Sequence, residues 1–230
     1  MWAVFGLFLS KYYGAENYGI YNVFIGYIGI ISIISTLRLE NVLVITKGLG
    51  RVMNFYKFLI VLSIFGSLLI SFFAFLISLA GEGETMPINF WLIVLAGSLA
   101  SSWVLIQNAL FTKLKFFNAI SVGLILSTIT AIFFQCLFYF LLPDDRGFYG
   151  LILGHLIGVI ISIVYYFKIT NTRNLQFDYS DSKILIHENL VILKYAFPSE
   201  SINTLANNLF IILAAIYFNQ IEIGGFCFGY

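Results

Sequence analysis

Residues 19–47 read GIYNVFIGYIGIISIISTLRLENVLVITK, and the choice between a water-soluble and a membrane fold turns on them. The stretch stays apolar or small until Arg38 and Glu40 enter two residues apart. A helix rises about 1.5 Å per residue, so crossing a hydrocarbon core takes about 20 residues. The charge-free run that contains most of this stretch, 17–37, meets that length, and five more follow at 58–81, 85–112, 116–143, 147–167 and 201–221. Transmembrane β-strands alternate apolar and polar residues over about ten positions, whereas these runs are continuously apolar. Over its 230 residues the chain is 60% hydrophobic and 10% charged. Soluble domains carry about 25% charge, so this chain lacks the polar surface such a domain needs. The expectation is an all-α integral membrane protein, a polytopic helical bundle.

Residues 1–9 read as the end of a further helix cut short at its start, and 224–230 as the beginning of another. A signal peptide is disfavoured, because no charged segment precedes the apolar stretch and no small-residue cleavage site follows it. Loop charges set the expected orientation. Lys47, Arg51 and Lys57 lie in one loop, Lys113 and Lys115 in another, and Lys168, Arg173, Lys183 and Lys194 in a third. The alternate loops hold only Lys11 and Arg146, and two of them, GEGETMPIN and PDDRG, are short and acidic. The positive-inside rule assigns the basic set to the cytoplasm, and with it the start of the truncated first helix. The net charge of +1 points to no partner, and no nucleic acid is expected. The connection from Lys168 to Lys194 carries a charged, apolar mixture that fits an amphipathic surface helix over 182–194, or a plain linker between bundles.

Helices in lipid associate through close contact, which favours small residues at their seams. Gly150, Gly154, Gly158 and Ser162 form one such stripe, Gly19, Asn22, Gly26 and Gly29 another, and Gly97 with Ser101 a third. Tight packing without further role is the expected reading of all three. Gln135 is read as a bond across a helix interface. Cys136 and Cys227 are read as buried small hydrophobes, with no cluster that would make a metal site or a disulfide framework.

A short internal match spans six helices. AENYGIYN at 15–22 aligns with IEIGGFCF at 221–228, placing Glu16 on Glu222 and Gly19 on Gly225. Two related helical halves with a substrate path between them are a common transporter plan. The segment YYGAENYGIYNVFIGYIGIISIISTLRLENVLVITK, and a second region from Pro198 through IEIGGF, resemble polysaccharide-biosynthesis membrane proteins. These are the flippases for O-antigen and other lipid-linked oligosaccharides, related to multidrug and toxic-compound extrusion transporters. The resemblance implies the first six-helix bundle of a two-bundle transporter plus the first helix of the second. The bundle would cover 1–167, a cytoplasmic linker 168–197 and the start of the second bundle 198–230. It further implies a multi-pass protein of the bacterial plasma (inner) membrane. Such a protein moves an undecaprenyl-diphosphate-linked oligosaccharide from the cytoplasmic to the outer leaflet by alternating access. Membrane lipids and other polysaccharide assembly proteins are the implied neighbours.

The polar residues inside the spans are the candidate substrate path: Arg38, Glu40, Asn41, Asn108, Glu200, Asn203 and Asn207. Charge is costly in lipid, so such residues face water, a partner or function. Arg38 either snorkels to the cytoplasmic headgroups or faces a wet cavity, where its planar fork suits the phosphate oxygens of a lipid diphosphate. In a continuous helix Arg38 and Glu40 point in divergent directions, while Arg38 and Asn41 share a face. Glu200 follows Pro198 closely enough to cap a helix dipole, or it lines the cavity. Asn203 and Asn207 either line the cavity or bond between helices. Gln107 and Asn108 sit at an interface, and His155 is a packed core residue or a proton relay. Arg51, Lys113, Lys115 and Lys194 would ring a cytoplasmic entrance. No cofactor is expected; H+ or Na+ coupling would act through Glu40 or Glu200. The rival readings are an exporter of drugs or small metabolites, and a membrane-embedded glycan-processing enzyme. The latter lacks a nucleophile–base or metal arrangement in the sequence, so the expectation is a protein that is not an enzyme.

Overall fold

The computed structural model describes residues 2–80, 87–142, 147–170 and 179–217. Its elements, in order, are α1 (Trp2–Thr36), α2 (Glu40–Ile45), α3 (Leu49–Ala80), α4 (Ile88–Leu114), α5 (Phe117–Leu141), α6 (Gly147–Ile169), α7 (Tyr179–Glu188) and α8 (Leu190–Tyr217). Five stretches are long and apolar enough to cross a membrane: Glu16–Thr36, Leu49–Leu79, Ile88–Leu114, Phe117–Leu141 and Gly147–Ile169. The protein is therefore an all-α polytopic membrane protein. Helices satisfy their own backbone groups, which is what a segment surrounded by lipid requires. The sixth expected run, 201–221, is helical to Tyr217, and its last four residues lie outside the described ones. So do the loop residues 81–86 and 143–146, and the second copy of the internal match at 221–228.

Gly14 breaks α1 at φ 80°, separating the piece before it from the membrane span that begins at Glu16. A side chain at that φ would meet its own backbone, so glycine suits the break. Two of the apolar clusters among the described residues carry most of the packing. One joins α1, α4 and α6 through Tyr21, Phe24, Ile28, Phe90, Val94, Leu151 and Ile152. The other joins α2, α3, α4 and α7 through Leu43, Val52, Phe55, Tyr56, Ile106, Leu110 and Leu185. Phe65, Leu69, Phe72 and Ile77 on α3 and Ile125, Ile129, Phe133 and Phe140 on α5 stay exposed, as lipid-facing side chains do.

The glycine stripe on α6 packs against α5. A Cβ on Gly154 would stand 2.7 Å from the Gln135 backbone nitrogen, and one on Gly158 would stand 2.5 Å from the Ser127 carbonyl oxygen. Gln135 itself is fully buried, and its Nε2 donates across that seam to the Leu151 carbonyl at 2.9 Å. Cys136, beside it, is exposed instead of buried. The reason is helical pitch, since neighbours in sequence differ by about 100° in direction and Gln135 takes the inward one.

The connection after α6 differs from the single amphipathic helix expected over 182–194. Asn189 interrupts it: its backbone N–H reaches the Ile186 carbonyl at 3.2 Å, and its side chain caps the Leu185 carbonyl at 2.9 Å. A side chain that satisfies the last carbonyls of a helix favours termination there. The surface helix α7 therefore ends at Glu188, with Leu185 buried against α3, and α8 begins at Leu190. Pro198 lies inside α8.

Candidate functional site

Between Thr36 and Glu40 the helix is broken by a tight turn, after which α2 continues along α4. Leu37 and Arg38 adopt φ values of 52° and 55°, with the Leu37 N–H bonded to Ile34 O and the Leu39 N–H to Thr36 O. Left-handed backbone costs a non-glycine residue about 1–2 kcal/mol, so two in succession must be held by their surroundings. Leu39 is buried in the second core, Leu37 packs beside it, and Arg38 gains two ion pairs.

Those pairs overturn the expectation that Arg38 and Glu40 diverge. The helix is broken where continuity was expected, so Arg38 Nη1 meets Glu40 Oε1 at 3.2 Å. The other terminal nitrogen, Nη2, pairs with Glu200 Oε2 on α8. Glu40 is 3% exposed, which makes a partner obligatory for its charge. The Glu200 side chain is 40% exposed. It does not cap a helix dipole, because α8 starts ten residues before it. Arg38 Nε and Glu40 Oε2 are buried without a hydrogen-bond partner.

Arg38 also lines an open cavity of about 410 Å3 between α1, α4, α5 and α6. Its polar wall comes from Ser32 on α1, Ser101 on α4, Ser127 and Thr128 on α5, and His155, Ser162 and Tyr166 on α6. Three of these hydroxyls spend their proton on their own helix: Ser32 on Gly29 O at 3.0 Å, Thr128 on Leu124 O at 2.9 Å, and Ser162 on Val159 O at 2.7 Å. What they offer the cavity is acceptor oxygen. Ile33, Val104, Leu105, Leu124 and Val159 complete an amphipathic lining. His155 Nδ1 lies 3.3 Å from the Tyr21 hydroxyl, and its ring stands edge-on to those of Tyr21 and Phe24.

The structure thus gathers Arg38, Glu40 and Glu200 into one cluster and leaves the other candidates apart. Asn41 is half-buried, its N–H bonded to Arg38 O, and it is not part of the cavity wall. Asn203 is exposed on α8, and the side chain of Asn207 lies outside the described residues. Asn108 buries an unpartnered Oδ1. Its neighbour Gln107 is 1% exposed and ties α4 to the Tyr56 hydroxyl at 2.6 Å, so it is an interhelical strut, not an interfacial residue. Of the expected entrance residues, Arg51, Lys115 and Lys194 are exposed, with Lys194 Nζ 5.6 Å above the Tyr195 ring. Lys113 instead donates to Val44 O at 2.9 Å, tying α4 to the end of α2. The serine and threonine wall was not singled out in advance. Ser101 and Ser162 were visible only as small residues in packing stripes, and Ser32, Ser127 and Thr128 carry no spacing signal at all.

No family model, curated protein or solved structure matches the chain.

Proposed function

We propose that this chain forms part of a flippase that moves a lipid-diphosphate-linked oligosaccharide across the bacterial plasma membrane by alternating access. The observation that carries this reading is Arg38: a guanidinium placed at a helix break and lining a cavity whose wall mixes hydroxyls with apolar side chains, within a membrane bundle. A guanidinium matches phosphate oxygens in bidentate geometry. Hydroxyls and their free lone pairs match sugar hydroxyls, and the apolar faces between them tolerate variation in the glycan. The basic loops would face the cytoplasm, where the substrate is loaded. A cationic drug would favour an acidic wall, and here both carboxylates near the cavity are engaged by Arg38. Coupling to H+ or Na+ would act through Glu40 or Glu200 and so through the same guanidinium.

The test is complementation. Cells lacking their own flippase receive the full-length gene, and surface glycan is measured by lectin or antibody binding. Restored glycan with the wild-type gene, and loss of most of it with Arg38→Ala at equal protein level, is the expected outcome. Unchanged export by Arg38→Ala would overturn the reading.

A further inference from the structure

The reading above needs Arg38 to meet an anion, yet its guanidinium is already engaged by Glu40 and Glu200. One cation therefore serves two carboxylates, and the two are held differently. Glu40 is two residues away on the same chain segment and almost fully buried. Glu200 comes from another helix, has a side chain 40% exposed, and does not line the cavity. We infer that Glu200 holds the place of the ligand's anion, so that a diphosphate entering the cavity displaces it and releases α8 from α1.

Four features support the exchange. Arg38 Nε is buried with no acceptor, so an edge of the guanidinium remains for an oxyanion to take together with a terminal nitrogen. A bidentate anion holds arginine more tightly than a single oxygen does. Among the described residues, the approach of α1 to α8 at Gly29 is loose: a Cβ built there would lie 3.7 Å from Asn208 Nδ2, an ordinary contact, and that amide is spent on Thr204 O at 2.9 Å within its own helix. Finally, Pro198 stands two residues before Glu200 inside α8. Proline deletes a helical hydrogen bond and makes a natural bending point. Release of one ion pair therefore frees a helix that can pivot beside it.

The inference deepens the proposed function and takes its choice of diphosphate from it, but it is tested without transport. Gly29→Cys and Asn208→Cys are introduced into the full chain with Cys136→Ser and Cys227→Ser, in nanodiscs, and the rate of oxidative cross-linking is followed. Inorganic pyrophosphate should slow cross-linking by at least about fivefold, the lower end of ordinary coupling. Sodium chloride at equal ionic strength should not. Linkage demands the reciprocal effect: Glu200→Gln should cross-link slowly without ligand and bind pyrophosphate more tightly by a similar factor. Farnesyl diphosphate dissolved in the nanodisc forms a second arm. Action at lower concentration than pyrophosphate assigns the site to a lipid headgroup, and equal action assigns it to a free anion. A cross-linking rate indifferent to both diphosphates, or slowed as much by the chloride salt, overturns the inference. That arm keeps Glu200 intact, so it decides even if Glu200→Gln does not fold. Failed complementation with diphosphate-dependent release would remove the flippase reading and leave the exchange standing.

Discussion

The α5–α6 and α1–α8 seams are both helix pairs with glycine in the contact, but they are built for opposite ends. At α5–α6, backbone meets backbone: Gly154 and Gly158 approach Gln135 and Ser127 so closely that no side chain fits, and Gln135 bonds across to Leu151. Tyr166 on α6 fills the space over Gly123 on α5 and reaches the Ile120 carbonyl at 3.4 Å. At α1–α8, Gly29 has room beside Asn208, and among the described residues the specific tie is the Arg38–Glu200 ion pair. Dispersion at short range is lost steeply with separation, and lipid chains do not reproduce so close a backbone fit. An ion pair on a half-exposed carboxylate can be exchanged for another anion. One seam is permanent and the other is replaceable, and the cavity lies beside both.

The largest effect is expected where the permanent seam is forced open. Gly158→Leu would put a branched side chain against the Ser127 carbonyl and the Ala131 methyl group. Backbone cannot retreat as a flexible side chain can, so the cost should reach about 3 kcal/mol or more. The expected outcome is little folded protein after detergent extraction, read by size-exclusion profile and thermal unfolding. A well-folded Gly158→Leu variant would show that the two helices are not locked.

A smaller effect is expected from Gln135→Leu. It removes the bond to Leu151 O, but the Gln135 backbone carbonyl keeps its bond from the Tyr13 hydroxyl. Interhelical hydrogen bonds in membranes contribute about 0.6–2 kcal/mol. Melting should drop by a few degrees without loss of the fold. A drop as large as that of Gly158→Leu would move the weight of the seam from packing to polarity.

The permanent seam is the part that can be read in advance. Continuous apolar runs dictate helices in lipid, and glycine every fourth residue on α6 predicts a close neighbour, because only a missing side chain lets two helix backbones touch. The exchangeable part is far less legible. Leu37-Arg38-Leu39 contains no glycine, proline or asparagine to mark a helix break, and local preference alone continues the helix through it. What breaks the helix there is tertiary: burial of Leu39 and capture of Arg38 by a carboxylate 162 positions later in the sequence. Asn189 shows the intermediate case, a residue whose preference for helix ends is known but whose place inside an amphipathic pattern hid it. The cavity wall is hidden for another reason. Serine and threonine hydroxyls bond to their own helix whether they face a neighbour, lipid or a void, so their orientation leaves no trace in spacing.

The smallest effect is the one that sharpens the contrast most. Gly29→Ala would place its methyl group 3.7 Å from Asn208 Nδ2, ordinary contact, whereas Gly154→Ala would drive the same methyl group into the Gln135 backbone. Alanine in a helix interior gains about 0.5–1 kcal/mol over glycine through chain entropy alone. Gly29→Ala should therefore melt at or slightly above the wild-type temperature, while Gly154→Ala melts below it. Differential scanning fluorimetry of both variants in one detergent checks the sign. Destabilisation by Gly29→Ala would mean that α8 sits against α1 as tightly as α6 sits against α5. The slack that lets one ion pair govern the seam would then be gone, since dispersion along the whole contact would outweigh anything an anion could displace.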